Sequence, residues 1–398
     1  MWSNYGGTIH IFKDIRRPSM IRVFLTADNH VGIRYSSHPQ AQTLSERRTE
    51  AFRQMVQTAE EERCDLFVIA GDMFDNTYQI RKAEVAAVFR ILAGFSGETL
   101  LLPGNHDYLS ASEKAGSDLW NYIRTEAANV NNMTLLTEER PYSFEIREET
   151  VIAYPAICRS KHSAEGENAL AWIKGETIEK TLGTYHIGIA HGAVEGETID
   201  SEGKYYLMGR QELLDIPMNV WLLGHTHVPF PKLSSDLTAS NERIFNPGTH
   251  VQTDVACNTE GNCFILELDG DTVRAKRVET GNIRFYRLKL DASAGLEKTL
   301  REALQPLSKE SVVDVILLGA VIGDEYDTRA DIVLDAFAAK GFIEASYDDS
   351  SLTRRVTRET VLAEYSETSF SGKLLLELME NEKAAQMAYD MLKEIAVY

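Results

Sequence analysis

Five short apolar runs in this chain each lead, at once or within a few residues, into a group of side chains able to bind metal. Val23–Leu25 precedes Asp28-Asn29-His30, Leu66–Ala70 precedes Gly71-Asp72, and Leu100–Leu102 precedes Gly104-Asn105-His106-Asp107. Ile187–Ala190 runs into His191-Gly192, and Val220–Leu223 into Gly224-His225-Thr226-His227. Brief continuous apolar runs read as buried strands. The pattern therefore demands a fold in which several buried strand ends gather carboxylates, imidazoles and one amide at a common place.

The D-x-H and H-x-H spacings belong to extended chain or tight turns, not to a helix. In extended chain residues i and i+2 point to the same side, so both side chains of such a pair reach one centre. A two-metal hydrolase holds its cations about 3.5–4 Å apart and clamps the attacking and leaving oxygens of an in-line displacement. Asp72 is the natural bridge, because a carboxylate offers one oxygen to each ion. Asp28, His30 and His227 complete one site; Asn105, His191 and His225 complete the other. Oxygen and nitrogen donors without thiolate suit Mn²⁺, Fe²⁺ or Zn²⁺ better than Ca²⁺. His106, next to Asn105, is the candidate for protonating the leaving oxygen, and Asp107 for orienting the His106 ring. Ten histidines occur in the chain. Five of them fall inside these ordered motifs, which argues against ordinary loop histidines.

As a set, D-x-H, G-D, G-N-H-D, H and G-H-x-H resemble the calcineurin-like metallophosphoesterase superfamily over residues 21–285. The resemblance implies the ligands named above, Asp72 as the bridge, and His106 as a catalytic histidine that binds no metal. A narrower likeness is to the SbcD-type exonuclease subunit of DNA double-strand-break repair. It rests on Ala27–Gly32, Asp65–Asp75, Leu102–Asp107 and Asn246-Pro247-Gly248-Thr249. This likeness implies DNA as substrate, two divalent ions with Mn²⁺ the expected metal, an SbcC-type ATPase partner and a homodimer. Some repair nucleases carry histidine three residues after the bridging aspartate; here that residue is Asp75. Protein phosphatases of the superfamily read Asp-Arg-Gly there, whereas this chain reads Asp75-Asn76-Thr77, which argues against a phosphoprotein substrate.

Composition sets limits on this picture. The 398 residues carry a net charge of −19, an awkward balance for a nuclease, since nucleic-acid binders show a basic footprint. Residues 291–398 alone hold 11 Lys and Arg against 21 Asp and Glu. Cations bound at the site offset part of this. Arg34, Arg47, Arg48, Arg81 and Lys82 lie near the first two motifs, and each reads as a solvated charge before a phosphate contact. The acidity favours a partner that contributes DNA contacts, and keeps open a phosphodiesterase for small cyclic or linear nucleotides. A non-catalytic binding subunit is the third reading, and the intact ligand set opposes it. No apolar run is long enough to span a membrane, and no apolar signal core opens the chain, so a cytoplasmic protein is expected. The scattered cysteines, Cys64, Cys158, Cys257 and Cys263, read as reduced thiols. No G-x-x-x-x-G-K-[ST] loop is present, so any use of ATP belongs to a partner.

The expected fold class is α/β: a four-layer αββα sandwich with a smaller α+β C-terminal cap. Residues 1–20 read as an N-terminal extension, of which 1–19 are a mis-called start if Met20 is the true one; 21–285 read as the catalytic domain and 286–398 as the cap. Helices are expected at 44–59, 82–92 and about 117–124. Asp269-Gly270 marks a hairpin between 262–268 and 272–278. Strands clustered after 220 argue for a two-sheet sandwich flanked by helices. In the cap, strands at 285–290, 312–318 and 342–346 alternate with helices at 296–304 and 331–339, and two helices close the chain, the first starting at Ser369.

Overall fold

The computed structural model describes residues 19–110, 118–197, 204–257 and 259–396. Most of the expected N-terminal extension, and Ser117 at the start of the third expected helix, lie outside them. By internal contacts the chain divides into two units: residues 1–33, 48–251 and 259–281 form the first, and residues 34–47, 252–258 and 282–398 the second.

The first unit runs β1 (Ile21–Thr26), α1 (Ala41–Glu61, of which residues 41–47 count with the second unit), β2 (Leu66–Ala70), α2 (Lys82–Leu92), β3 (Glu98–Leu102), α3 (Asp118–Ala127), β4 (Met133–Leu135), β5 (Tyr142–Ile146) and β6 (Glu149–Ala156). It continues through α4 (Ala171–Lys174), β7 (Thr184–His191), α5 (Arg210–Asp215), β8 (Val220–Gly224), β9 (Thr238–Ser240), β10 (Ile244–Phe245), β11 (Asn262–Asp269) and β12 (Thr272–Glu279). Two sheets result. One has the order β4-β3-β2-β1-β11-β12-β9, the other β10-β8-β7-β6-β5. Strands β1 to β4 are mutually parallel, as are β6, β7, β8 and β10. That arrangement puts the C-terminal ends of the apolar strands on one side, where loops carry function.

One apolar core fills the space between the sheets and extends under α1, α2 and α3, taking in Phe24, Phe52, Phe67, Val85, Leu101, Ile123, Ile187 and Leu222. A second core, with Ile173, Leu213, Met218 and Trp221, packs α4 and α5 on the outer face of the five-stranded sheet. This is the αββα layering. The expected 262–268/272–278 hairpin forms in register through the Asp269–Thr272 pair. It joins the seven-stranded sheet. Strand β11 pairs antiparallel with β1, so most of the strands after 220 widen the first sheet. The second is made by β5, β6 and β7 with β8 and β10.

The second unit contains β13 (Arg284–Asp291), α6 (Leu296–Leu304), β14 (Ser311–Val321), α7 (Gly323–Asp327), α8 (Arg329–Lys340) and β15 (Glu344–Arg354). Its three strands are parallel in the order β13-β14-β15, as the helices between them require. Leu296, Leu300, Leu304, Val333 and Phe337 bury against Val313, Val315 and Leu317. After these come α9 (Arg358–Glu364), α10 (Phe370–Leu378) and α11 (Glu382–Ala396). Ser369 caps α10 as expected, its hydroxyl accepting the Gly372 amide at 3.0 Å.

Candidate metal centre

All nine singled-out residues fall in the first unit, at the C-terminal ends of β1, β2, β3, β7 and β8. The side chains converge. His30 Nε2 lies 3.0 Å from His227 Nε2, and His227 Nε2 lies 3.6 Å from Asp28 Oδ1. Asn105 Oδ1 lies 3.0 Å from His191 Nε2 and 3.2 Å from His225 Nδ1. Asp72 stands between the groups, its Oδ2 3.3 Å from His191 Nε2 and 3.7 Å from His30 Nε2. The side chains therefore gather in two groups with the Asp72 carboxylate between them. Donor atoms of Asp28, His30 and His227 lie within 4.8 Å of one another, as do those of Asp28, Asp72 and His191.

Hydrogen bonds on the far side aim three of the donors, His191, Asn105 and Asp28. His191 Nδ1 faces the Ala70 carbonyl at 2.8 Å. A carbonyl only accepts, so Nδ1 carries a hydrogen and Nε2 is the nitrogen turned inward. The Asn105 Nδ2 amide donates to the Lys161 carbonyl at 3.3 Å, which points Oδ1 at the histidines. Asp28 accepts the His225 amide on both oxygens, at 3.1 and 2.9 Å.

The backbone is bent to make this possible. Asp28, His30, Asp72, His225 and His227 have φ of 51°, 43°, 50°, 107° and 53°. Non-glycine residues rarely enter this left-handed region, and each pays about 1–3 kcal/mol to stay there. The adjoining glycines serve close approach. A Cβ on Gly71 would meet the His191 ring at 2.2 Å, and one on Gly104 would meet the Asp72 amide nitrogen at 2.2 Å.

Burial and charge shape the protonation of the cluster. Burial pushes the Asp28 carboxyl up to about 7. Burial would raise Asp72 as well, but His191 beside it holds it well below the usual carboxylate range. Burial opposes protonation of His191, yet Asp72 lifts it to about 9. His227 is held down to about 2 by burial and then by His30, and burial lowers His30 too. His30 and His227 are thus neutral rings with nitrogens turned toward one point. Neutral imidazoles and carboxylates are the donor forms a divalent cation needs; His30 and His227 already have that form, whereas His191 and Asp28 give up a proton to reach it, and with that exchange the residues fit a pair of such ions.

His106 sits at the edge of the centre. Its amide donates to Asp72 Oδ1 at 2.7 Å, its Nδ1 faces the Asp75 carbonyl at 2.8 Å, and its ring meets that of His30 edge-on at 4.8 Å. Here one expectation is corrected. Asp107 does not orient the His106 ring; its carboxylate accepts the Phe74 amide at 3.0 Å and the Gly104 amide at 2.7 Å. It is buried, with its carboxyl pushed up to about 6 by that burial, and it ties the loop after β2 to the loop after β3. The residue that holds His106 is Asp75, through its main chain, while the Asp75 carboxylate lies 3.5 Å from His30 Nδ1.

Arg48 is a second correction. It is 1% exposed, not solvated and not available to a phosphate. Its guanidinium donates to the carbonyls of Asn29, Val251 and Asp28 at 2.6, 3.1 and 3.3 Å, and to Thr249 Oγ1 at 3.0 Å. It clamps the Asp28–His30 loop to the Asn246–Thr249 stretch. The signal was present in the sequence: Arg48 lies four residues after Leu44 and four before Phe52, on the apolar stripe of α1. His250, also missed, is buried against Asn29, with 3.3 Å between Nδ1 and Nδ2.

Residues 21–229 match the calcineurin-like phosphoesterase family. Over 219 residues the chain is 24% identical to the uncharacterized metallophosphoesterase YhaO of Bacillus subtilis (strain 168), covering 54% of this chain and 48% of that protein. The chain thus spans about half the length of this curated relative. Among solved structures it is similar to the purple acid phosphatase PPD1 of yellow lupin (Lupinus luteus), with 12% identity, a TM-score of 0.40, and coverage of 66% of this chain and 52% of that one. It is similar as well to a dimetal phosphatase from Danio rerio, with 12% identity, a TM-score of 0.35, and coverage of 65% and 98%. The family match takes in all five motifs and more than half of the residues, and the chain belongs to the calcineurin-like phosphoesterase family.

Proposed function

We propose that this protein is a metal-dependent phosphodiesterase that cuts DNA, in the manner of an SbcD-type nuclease subunit, with two divalent cations, Mn²⁺ by preference. The observation that carries the hydrolase reading is Asp72 Oδ2 set between His191 and His30, 3.3 and 3.7 Å from their Nε2 atoms. Bound there, divalent cations supply the Lewis acidity that activates water and stabilises charge on a phosphoryl group. The chain's own residues do the rest. Asp28, His30, His227, Asn105, His191 and His225 fix the donor geometry. The Asp75 carbonyl fixes hydrogen on His106 Nδ1, and in its imidazolium form His106 has a second proton, on Nε2, to give to the leaving oxygen, returning to the neutral ring. Asp107 and Arg48 hold the loops.

Diester over phosphoprotein is supported by Asp75-Asn76-Thr77 standing where phosphatases of the family carry Asp-Arg-Gly. DNA is supported by the SbcD-like wording of residues 65–75 and 102–107. An SbcC-type ATPase is proposed as partner, since this chain has no phosphate-binding loop for ATP, and a homodimer is proposed as the working form. No described helix is long and apolar enough to cross a membrane. None of the four cysteines forms a disulfide, which supports a reducing, cytoplasmic setting. The net charge of −19 favours a second reading, hydrolysis of small cyclic or linear nucleotides.

The test is incubation with Mn²⁺ and end-labelled single- and double-stranded DNA, beside His106→Ala and a small chromogenic phosphodiester. Metal-dependent DNA cleavage that the variant loses is the expected result. Cleavage of the small diester alone, with or without added ATPase partner, would transfer the assignment to the nucleotide reading.

A further inference from the structure

Between the candidate ligands Asp28 and His30 stands Asn29, whose side chain meets Thr26 and His250 rather than the other donors. All three of these residues are fully buried. Asn29 Nδ2 donates to Thr26 Oγ1 at 2.9 Å and lies 3.3 Å from His250 Nδ1. On the other side of the ring, His250 Nε2 faces the Arg48 carbonyl at 3.2 Å. That carbonyl can only accept, so Nε2 carries the hydrogen of the neutral ring and Nδ1 accepts the second hydrogen of the Asn29 amide. Burial, and then the Arg48 charge, keep the ring neutral. Donors and acceptors thus match along the whole path from Arg48 through His250 and Asn29 to Thr26.

Arg48 enters this circuit twice. Its carbonyl receives His250, and its Nε donates to the Asn29 carbonyl at 2.6 Å. Main chain and side chain of Asn29 are therefore both tied to one residue of α1. A backbone bridge between Ala27 and Thr249 brings His250 alongside. The residues on either side of Asn29 hold φ of 51° and 43°, a region that persists only where the surroundings enforce it. The surroundings of the circuit are otherwise those of a core: the His250 ring meets Phe52 edge-on at 6.3 Å, and Thr26 Oγ1 lies 3.7 Å from Met55 Sδ. Asn29 Oδ1 is buried with no hydrogen-bond partner among the described residues. An unpaired buried acceptor costs stability, so an apolar pair would serve a core better at this place.

We propose that Asn29 and His250 are a positioning pair that sets the Asp28–His30–His227 half of the metal centre. The inference rests on the two-metal reading. Fixing Asn29 orients the peptide groups on both of its sides, and with them the Cα–Cβ bonds of Asp28 and His30. Partners behind the ligands tune metal affinity in this way without touching the ion. The other half of the centre has supports of its own, the Lys161 carbonyl behind Asn105 and the Ala70 carbonyl behind His191. The pair therefore acts chiefly on one ion, and its polarity serves geometry at the expense of stability.

The test uses the full chain stripped of metal with EDTA, as wild type, Asn29→Leu, His250→Phe and the double variant. Calorimetric titration with Mn²⁺ reads the two sites, and His30→Ala marks the one concerned. Each single substitution should weaken that site about 10–100-fold and the other site less. The double variant should bind no more weakly than the weaker single, because the two residues act as a unit. Its melting temperature in EDTA should equal or exceed that of wild type, since the unpaired acceptor is gone; a pair that merely held up the core would lower it. Unchanged Mn²⁺ affinity in both single variants overturns the proposal. So does a double variant that melts lower in EDTA and weakens both sites equally. Should the double variant fail to fold, His250→Asn decides. Its carbonyl oxygen can replace Nδ1 as acceptor of the Asn29 amide, so its Mn²⁺ affinity should match wild type, and a loss of about tenfold or more would overturn the pair. A wild type that takes up no Mn²⁺ would sink the metal reading and the pair with it, a result distinct from wild-type binding that the variants leave unaltered.

Discussion

His30 Nε2 and His227 Nε2 face each other at 3.0 Å, almost two hundred residues apart in sequence. Between two neutral imidazoles such a contact gives at most one hydrogen bond, and burial keeps both rings neutral. The pair gains most when a cation accepts both lone pairs. Removing divalent ions with EDTA should therefore destabilise the protein, and adding Mn²⁺ or Zn²⁺ should restore it. A site filled at about one hundred times its dissociation constant contributes roughly 2.7 kcal/mol. Melting curves with and without chelator read this directly; a melting temperature indifferent to both metals would count against the centre.

Removal of the His106 side chain separates catalysis from metal binding. The bond from this residue to Asp72 comes from the main-chain amide and survives in His106→Ala. We expect diester hydrolysis to fall by about a hundred- to ten-thousandfold, with metal content, measured by mass spectrometry, unchanged. Loss of metal together with activity would make His106 a ligand.

Gly71 has φ of +87°, and its missing Cβ makes room for the His191 ring. Gly71→Ala adds a methyl at 2.2 Å from that ring and strains the backbone at once. A loss of about 3 kcal/mol or more in unfolding free energy is expected, along with weaker metal binding, since His191 must move. Denaturant titration and metal quantification check the two halves of the prediction.

Arg48 offers a test of the loop clamp. Arg48→Met keeps the length and the apolar stem but removes donors to three carbonyls and one hydroxyl. Buried acceptors without donors cost about 1–3 kcal/mol each, so the expected loss is on the order of 3–5 kcal/mol. Arg48→Lys should recover only part of it, because one ammonium cannot match the fork. Equal stability of wild type and Arg48→Met in denaturant titration would refute the clamp.

What the sequence made legible followed from local rules. Apolar runs gave β1, β2, β3, β7 and β8, and helical spacing gave α1 and α2. Ligand identity came from side-chain chemistry at those strand ends. The rest depended on contacts far apart in the chain. That Asp107 turns away from His106 follows from the Phe74 and Gly104 amides, whose positions no spacing encodes. The left-handed backbone at Asp28, His30, Asp72, His225 and His227 has no sequence mark either, since these residue types occupy any region elsewhere. The pairing of β11 with β1 links segments some 240 residues apart, and only the shared core selects it. Arg48 differs from these: its place on the apolar stripe of α1 was readable, and its charge concealed it.

The cysteines carry the final prediction. Cys64, Cys158 and Cys263 are buried, and Cys257 is half-buried. Burial pushes the Cys64 thiol up to about 12 and those of Cys158 and Cys263 well above their ordinary value. The thiolate is the reactive form, so these three should resist alkylation at pH 8 in the native protein. Cys257 should be labelled first, and all four should react in denaturant. The same shift fixes the sign of a pH effect. A thiol whose pKa is raised on folding contributes stability that is full below about 9, its unfolded value, and is lost as pH rises toward about 12. Stability should therefore decline above pH 9, and Cys64→Ala should show a shallower decline. Peptide mapping after iodoacetamide treatment, with melting curves between pH 8 and 11, tests both statements. Rapid labelling of Cys64 in the native state would contradict its burial.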